Sequence, residues 1–184
     1  MEDVLSEAKE KMTKTIEATK REMSSIRTGR ANPALVENLK VDYYGSPTPL
    51  SQIASISVPE SRVLAIQPWD RQAVGDIQKA IQKSDLGINP SSDGTTIRLV
   101  IPPLTQDRRQ ELVKVVKKRV EEGRVALRNI RRDLIDELRG AQKRKELSED
   151  EEKRMADQVQ KITDTYISQV EHIGQEKETE VMEI

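Results

Sequence analysis

Apolar residues recur at steps of three and four through three long stretches of this chain, and between the first two the pattern breaks into short runs punctuated by proline and glycine. In residues 3–29, Val4, Ala8, Met12, Ile16, Thr19, Met23 and Ile26 form one stripe without Pro or internal Gly. That spacing predicts an amphipathic helix. It is expected to stop near Gly29, because Ala31-Asn32-Pro33 biases the backbone away from helical angles just beyond. A second stripe, Val113, Val116, Val120, Leu127, Ile130, Leu134 and Leu138, predicts a helix capped by Thr105 and running to about residue 145. Asp107 in its first turn favours the helix dipole. A third stripe, Met155, Val159, Ile162, Tyr166, Val170, Ile173 and Val181, follows Ser148-Glu149-Asp150-Glu151, which fits a capping box.

Residues 34–101 read differently. They hold most of the proline, half of the glycine and all but one of the aromatics, in short alternating or apolar runs. Strands are expected at 39–44, 53–58, 63–67 and 96–101. Gly45-Ser46-Pro47-Thr48-Pro49 and Ser91-Ser92-Asp93-Gly94 read as turns or loops. Between them Asp70 is a candidate cap for a short helix through Ser84, with Val74, Ile77, Ala80 and Ile81 on one side and Gly87 as its stop.

A single apolar stripe cannot face water over some forty residues, so the three long helices are expected to pack together. The fold class that follows is α+β: an antiparallel three-helix bundle, discontinuous in sequence (1–30 and 105–184), with a small β/α/β domain inserted at 31–104. Two chain crossings join the domains, near 29–33 and 102–105. Gly29, Arg30 and Ala31 in one, and Pro102, Pro103, Leu104 and Thr105 in the other, form a candidate hinge in which proline limits local twisting. A rigid junction is the alternative.

Composition removes several classes of function. The chain has 184 residues, no Cys and no Phe, and a single His. Disulfides, thiolate metal sites and cysteine nucleophiles are therefore excluded. Apolar runs fall well short of the roughly 20 residues that a membrane span needs, and Met1-Glu2-Asp3 does not begin a signal peptide. His172, beside Ile173 in the acidic third helix, reads as a boundary residue and not as a base. No phosphate-cradling Gly-rich loop, metal-ligand set or nucleophile elbow is traceable, and acidic pairs such as Glu121-Glu122 suit solvated helix faces. The sequence is not that of an enzyme, and neither a metal nor a bound cofactor is expected.

The net charge of -1 conceals a segregation. Residues 106–145 carry 14 basic and 7 acidic side chains, whereas 146–184 carry 4 and 12. The local field is what a ligand meets. Within the basic segment Arg124, Arg128, Arg131, Arg132 and Arg139 fall inside an arc of about 100°, with Lys117 in the same sector. Such a ridge can bind anions while the neighbouring apolar sector is buried. Glu121, one turn before Arg124, intrudes at that end. The two segments could also simply pair as helices with complementary edges, and the two readings are compatible.

Arginine forks match phosphate oxygens in bidentate geometry. The basic segment has no aromatic platform for stacking single-stranded bases, so folded RNA, read through backbone and shape, is the better ligand. Arg27 and Arg30 would extend the patch if the end of the first helix lay beside the middle of the second. A helical interaction protein whose charged faces pair with protein helices is the reading from a different class, and salt dependence separates the two.

Several segments resemble the ribosome recycling factor family. These are Ile26-Arg27-Thr28-Gly29-Arg30-Ala31-Asn32-Pro33, Tyr43-Tyr44-Gly45-Ser46-Pro47-Thr48-Pro49-Leu50, Ser84-Asp85-Leu86-Gly87-Ile88-Asn89-Pro90, Ile101-Pro102-Pro103-Leu104-Thr105 and residues 124–133. The likeness runs through the whole chain in order. It implies an L-shaped pair of domains and a translation factor that acts after peptide release. With elongation factor G and GTP, such a factor splits the post-termination ribosome and frees mRNA and tRNA. By the resemblance, Arg128, Arg131 and Arg132, with Arg124 beside them, contact the 23S rRNA of the large ribosomal subunit. Arg27 and Arg30 match basic positions before the hinge. GTP belongs to the partner, elongation factor G, so this chain needs no nucleotide. No organellar extension precedes the first helix, and the expectation is a bacterial, cytoplasmic, monomeric protein acting with no membrane and no DNA.

Overall fold

A computed structural model describes residues 2–183. Met1 and Ile184, the outer limits of the expected bundle, lie outside the described residues. The fold is α+β, with four α-helices and six strands among the described residues, and the chain divides into two compact units. One ends at Arg27 and resumes at Gln106; the other is Thr28–Thr105.

The first unit contains α1 (Glu2–Ser24), α3 (Gln106–Lys143) and α4 (Glu149–Met182). Met12, Ile16 and Met23 of α1 meet Val116, Val120 and Leu127 of α3 and Val170 of α4 in one apolar cluster. Ala8, Leu134, Leu138, Met155 and Val159 form a second. Each stripe is thus buried by the other two, and α3 runs antiparallel to both neighbours. The deepest line on α4 also includes Thr163 and Gly174, which an apolar count passes over. Thr163 Oγ1 donates to Val159 O at 2.7 Å, so its hydroxyl is buried without loss.

Helix α1 ends five residues before Gly29. The cause is the pair Ser24 and Ser25, whose hydroxyls donate to Arg21 O at 2.8 Å and Glu22 O at 2.7 Å and compete for the last carbonyls. Helix α3 stops at Lys143 because Lys145 is left-handed (φ 62°) and Glu146 N donates back to Ala141 O at 3.0 Å, a Schellman-type closure. Helix α4 opens with the expected capping box: Glu151 N donates to Ser148 Oγ while Ser148 N donates to Glu151 Oε2.

The second unit holds two antiparallel sheets and α2 (Ala73–Lys83). Strands β1 (Lys40–Tyr43) and β2 (Ser46–Pro49) form a hairpin, so the expected loop at 45–49 is a strand beyond Gly45. Tyr44 (φ 51°) and Gly45 (φ 78°) supply the two left-handed residues that a tight hairpin needs. Pro47 and Pro49 are tolerated there because a two-stranded sheet has an outer edge where no donor is required. The other sheet has the order β3 (Ala54–Glu60), β4 (Val63–Pro68), β6 (Ile97–Val100), β5 (Ser91–Ser92). β5, expected as part of a loop, pairs with Ile97 and Arg98. Leu64, Ile66, Ile77, Ile81, Ile97 and Leu99 fill the core beneath α2. Asp70 caps the turn leading into α2 by accepting from Gln72 N at 2.9 Å, while the helix itself ends at Lys83 with Ser84 as its C-cap, before Gly87.

Candidate nucleic-acid interface

Burying Val116, Val120, Leu127, Leu134 and Leu138 turns the adjacent flank of α3 outward. There Arg128, Asn129, Arg131, Arg132, Ile135, Asp136 and Arg139 line a shallow groove of about 290 Å³. Four guanidiniums thus face one depression across three helical turns. Arg128 is exposed and meets no partner among the described residues. Arg132 lies 3.9 Å from Asp133 and Arg139 3.6 Å from Asp136, loose pairs within one helix and open to water. Contacts of that kind are worth at most about 1 kcal/mol and yield readily to a phosphate.

The remaining two arginines of the ridge are held by α4. Arg131 is half-buried, and its Nη1 donates to Gln160 Oε1 at 3.1 Å. Arg124 donates through Nη1 to Glu171 Oε1 at 3.0 Å and through Nε to Glu121 Oε2 at 2.9 Å. Glu171 first, and Glu121 after it, raise the Arg124 guanidinium above its ordinary range against the opposing effect of burial. Arg124 therefore carries its charge already compensated. Its side chain ties α3 to α4, so part of the complementary-edge reading of the two charged segments applies at this position.

Thr19 of α1 lies against Gly123, and Glu22 approaches Arg119 with 3.8 Å between Oε2 and Nε. The end of α1 consequently sits beside the first third of α3, about 13 Å along the axis from Arg128 at 1.5 Å per residue. Arg27 and Arg30 are both exposed, but Arg27 closes the helical unit and Arg30 belongs to the other. Within the helical unit, the packing of α1 directs Arg27 toward the start of α3 and away from its middle.

The expected hinge residues are positioned by the second unit. Gly29 has φ 77°, and a Cβ there would stand 3.3 Å from Leu104 Cγ, so the two linkers touch where side-chain bulk is least. Ala31 N donates to Ser61 O at 2.8 Å and Ile101 N to Arg62 O at 2.7 Å. Both linkers are stapled to successive carbonyls of the β3–β4 turn. Ala31 is thereby fixed to the small unit, which leaves Gly29, Arg30, Pro102, Pro103, Leu104 and Thr105 outside the staple.

Sequence reasoning missed Gln160 and Glu171, which carry no periodic signal because their importance depends on which α3 residue they face. It also used Asp70 only as a cap. Asp70 Oδ2 accepts from Tyr44 Oη at 2.8 Å, and the Gln72 amide first and Tyr44 next hold its carboxyl below the usual range. No group of acidic, histidine or cysteine side chains suited to a metal occurs among the described residues, and no helix among them is long and apolar enough to cross a membrane.

A family model described as ribosome recycling factor matches residues 19–182. The chain belongs to the ribosome recycling factor family. A ribosome-recycling factor from Syntrophomonas wolfei subsp. wolfei is 55% identical over 184 residues, covering all of both chains. One from Geobacillus kaustophilus is 56% identical over 181 residues, 98% of each. Among solved structures, a solution structure of the ribosome recycling factor has a TM-score of 0.76 at 44% identity, covering 100% of this chain and 97% of its own. A second, the Thermus thermophilus recycling factor placed with Escherichia coli elongation factor G on the E. coli post-termination complex, has a TM-score of 0.64 at 46% identity, covering 99% and 98%. Members of the family are translation factors, and this recycling factor family member presents the exposed arginines of α3 on the helical unit.

Proposed function

We propose that this chain anchors to the 23S rRNA of the large ribosomal subunit through Arg128, Arg131 and Arg132 of α3. Acting with elongation factor G, it then splits the post-termination ribosome and releases mRNA and tRNA. The observation that carries the reading is the α3 groove, where several guanidiniums converge with little compensating charge on a rigid, 38-residue helix. Several open forks on one continuous helix suit the phosphates of folded RNA. Arg124, already paired, contributes position more than charge, and Arg27 and Arg30 serve as basic positions beside the linkers. Motion is assigned to Gly29, Arg30 and residues 102–105, with GTP hydrolysis supplied by elongation factor G and no nucleotide or other cofactor held here. The factor works as a monomer in the bacterial cytoplasm, without membrane or DNA.

The test is a recycling assay with purified chain, elongation factor G and GTP on stalled post-termination complexes. Free subunits and released message are expected. Arg131→Ala should weaken large-subunit binding by about 1 to 3 kcal/mol while leaving the fold intact. Binding unchanged by that substitution would remove Arg131 from the interface.

A further inference from the structure

One arginine of the groove is held from outside its own helix. Arg131 Nη1 donates to Gln160 Oε1 at 3.1 Å, and Gln160 Nε2 donates to Asp164 Oδ1 at 2.8 Å, one turn further along α4. A guanidinium can only donate and a carboxylate can only accept, so the amide between them has a single orientation. The chain of bonds therefore runs in one sense, from Arg131 through Gln160 to Asp164.

Arg124 offers the contrast. It lies on the same flank of α3 and also reaches α4, but its partner there is the carboxylate of Glu171, with Glu121 on the other side. Two carboxylates hold and neutralise it together. At Arg131 the direct partner is neutral, and the carboxylate that ends this run of bonds, Asp164, is separated from the guanidinium by the whole amide. Gln160 takes one of five N–H donors and leaves the rest of the fork, with its full charge, for an anion.

We propose that Gln160, oriented by Asp164, is a positioning residue that fixes the Arg131 fork toward the α3 groove without compensating its charge. This rests on the reading of that groove as the ribosomal RNA interface. What matters is then the neutrality of the side chain at 160, and not only its ability to bridge two helices. A helix staple and a charge-preserving positioner make opposite predictions for Gln160→Glu. As a staple, the new carboxylate pairs with Arg131 and binding is untouched or improved. As a positioner, the same carboxylate spends the charge that the phosphate needs.

Large-subunit binding measured across a salt series separates these. The proteins are the full chain, Gln160→Glu, Gln158→Glu, Arg131→Ala and the double substitution Arg131→Ala with Gln160→Glu. Gln158 is exposed on another face of α4 and controls for added charge alone. Gln160→Glu is expected to lower affinity about tenfold, the scale of one charge-assisted contact, and to reduce the salt slope as Arg131→Ala does. Its melting temperature should change little, because the ion pair gained with Arg131 is offset by the loss of the bond to Asp164 and by two carboxylates one turn apart. In the Arg131→Ala background it should add no more than Gln158→Glu adds. Wild-type binding by Gln160→Glu, with Arg131→Ala impaired, overturns the proposal alone. An equal loss from Gln160→Glu in both backgrounds also overturns it, since the effect is then general repulsion. If Arg131→Ala itself binds normally, the interface assignment falls and the proposal with it.

Discussion

Gly174 of α4 packs so closely on Val120 of α3 that a Cβ on Gly174 would overlap Val120 Cγ2. Valine is stiff about its first side-chain torsion and cannot swing away cheaply. Helix propensity favours alanine over glycine by about 1 kcal/mol, yet overpacking a filled interface costs about 1 to 3 kcal/mol. Gly174→Ala is therefore expected to destabilise the helical unit, read as a lower urea midpoint. In the Gly174→Ala background, Val120→Ala should cost less than it does alone, and full additivity of the two changes would show that the contact is not strained.

The partners of the arginines rank their contributions to binding. Arg128→Ala and Arg132→Ala remove guanidiniums that are exposed and at most loosely paired. Each should weaken large-subunit binding by about 1 to 3 kcal/mol and lower the salt slope by about one. Arg124→Ala removes a charge already matched by Glu121 and Glu171, so its effect on binding should be smaller. A salt titration in which Arg124→Ala is the most damaging of the three would reverse this ranking.

Gly29 occupies a left-handed backbone position where a Cβ also meets Leu104 at 3.3 Å. The left-handed conformation costs a non-glycine residue about 1 to 2 kcal/mol. Gly29→Ala is expected to lower stability by more than that amount, because the Leu104 contact adds to it, whereas Gly45→Ala, with the same sign of φ but open space around it, should lose only the conformational part. Equal losses in the two thermal melts would mean that the Leu104 contact is inconsequential.

The α4 cap should respond to acid. The backbone amide and hydroxyl of Ser148 hold the Glu151 carboxyl below its ordinary range. A folded value below the unfolded one contributes stability that is complete above the unfolded value, about 4.3, and disappears as pH falls through the folded value. The melting-temperature gap between the parent chain and Glu151→Ala should accordingly be present at neutral pH and close below about pH 4. A gap that persists or widens in acid would show that the carboxylate is not the stabilising form.

The three apolar stripes determined the helices and their mutual burial, because Ala8, Met12, Val116, Leu127, Val159 and Val170 leave water in any arrangement that pairs such faces. The basic ridge was equally legible, since helical spacing alone gathers Arg128, Arg131, Arg132 and Arg139 on one side. Short-range chemistry was less so. The paired serines end α1 early, and a strand containing Pro47 and Pro49 reads as a loop until its hairpin partner is in place. Which neighbour each ridge arginine receives depends instead on how α3 and α4 pack. The antiparallel register of α3 and α4 puts Glu171 opposite Arg124 and Gln160 opposite Arg131. The same register puts Gly174 against Val120. Periodicity within one helix specifies a face, but the charge left on that face depends on residues some thirty to fifty positions away, brought alongside by packing.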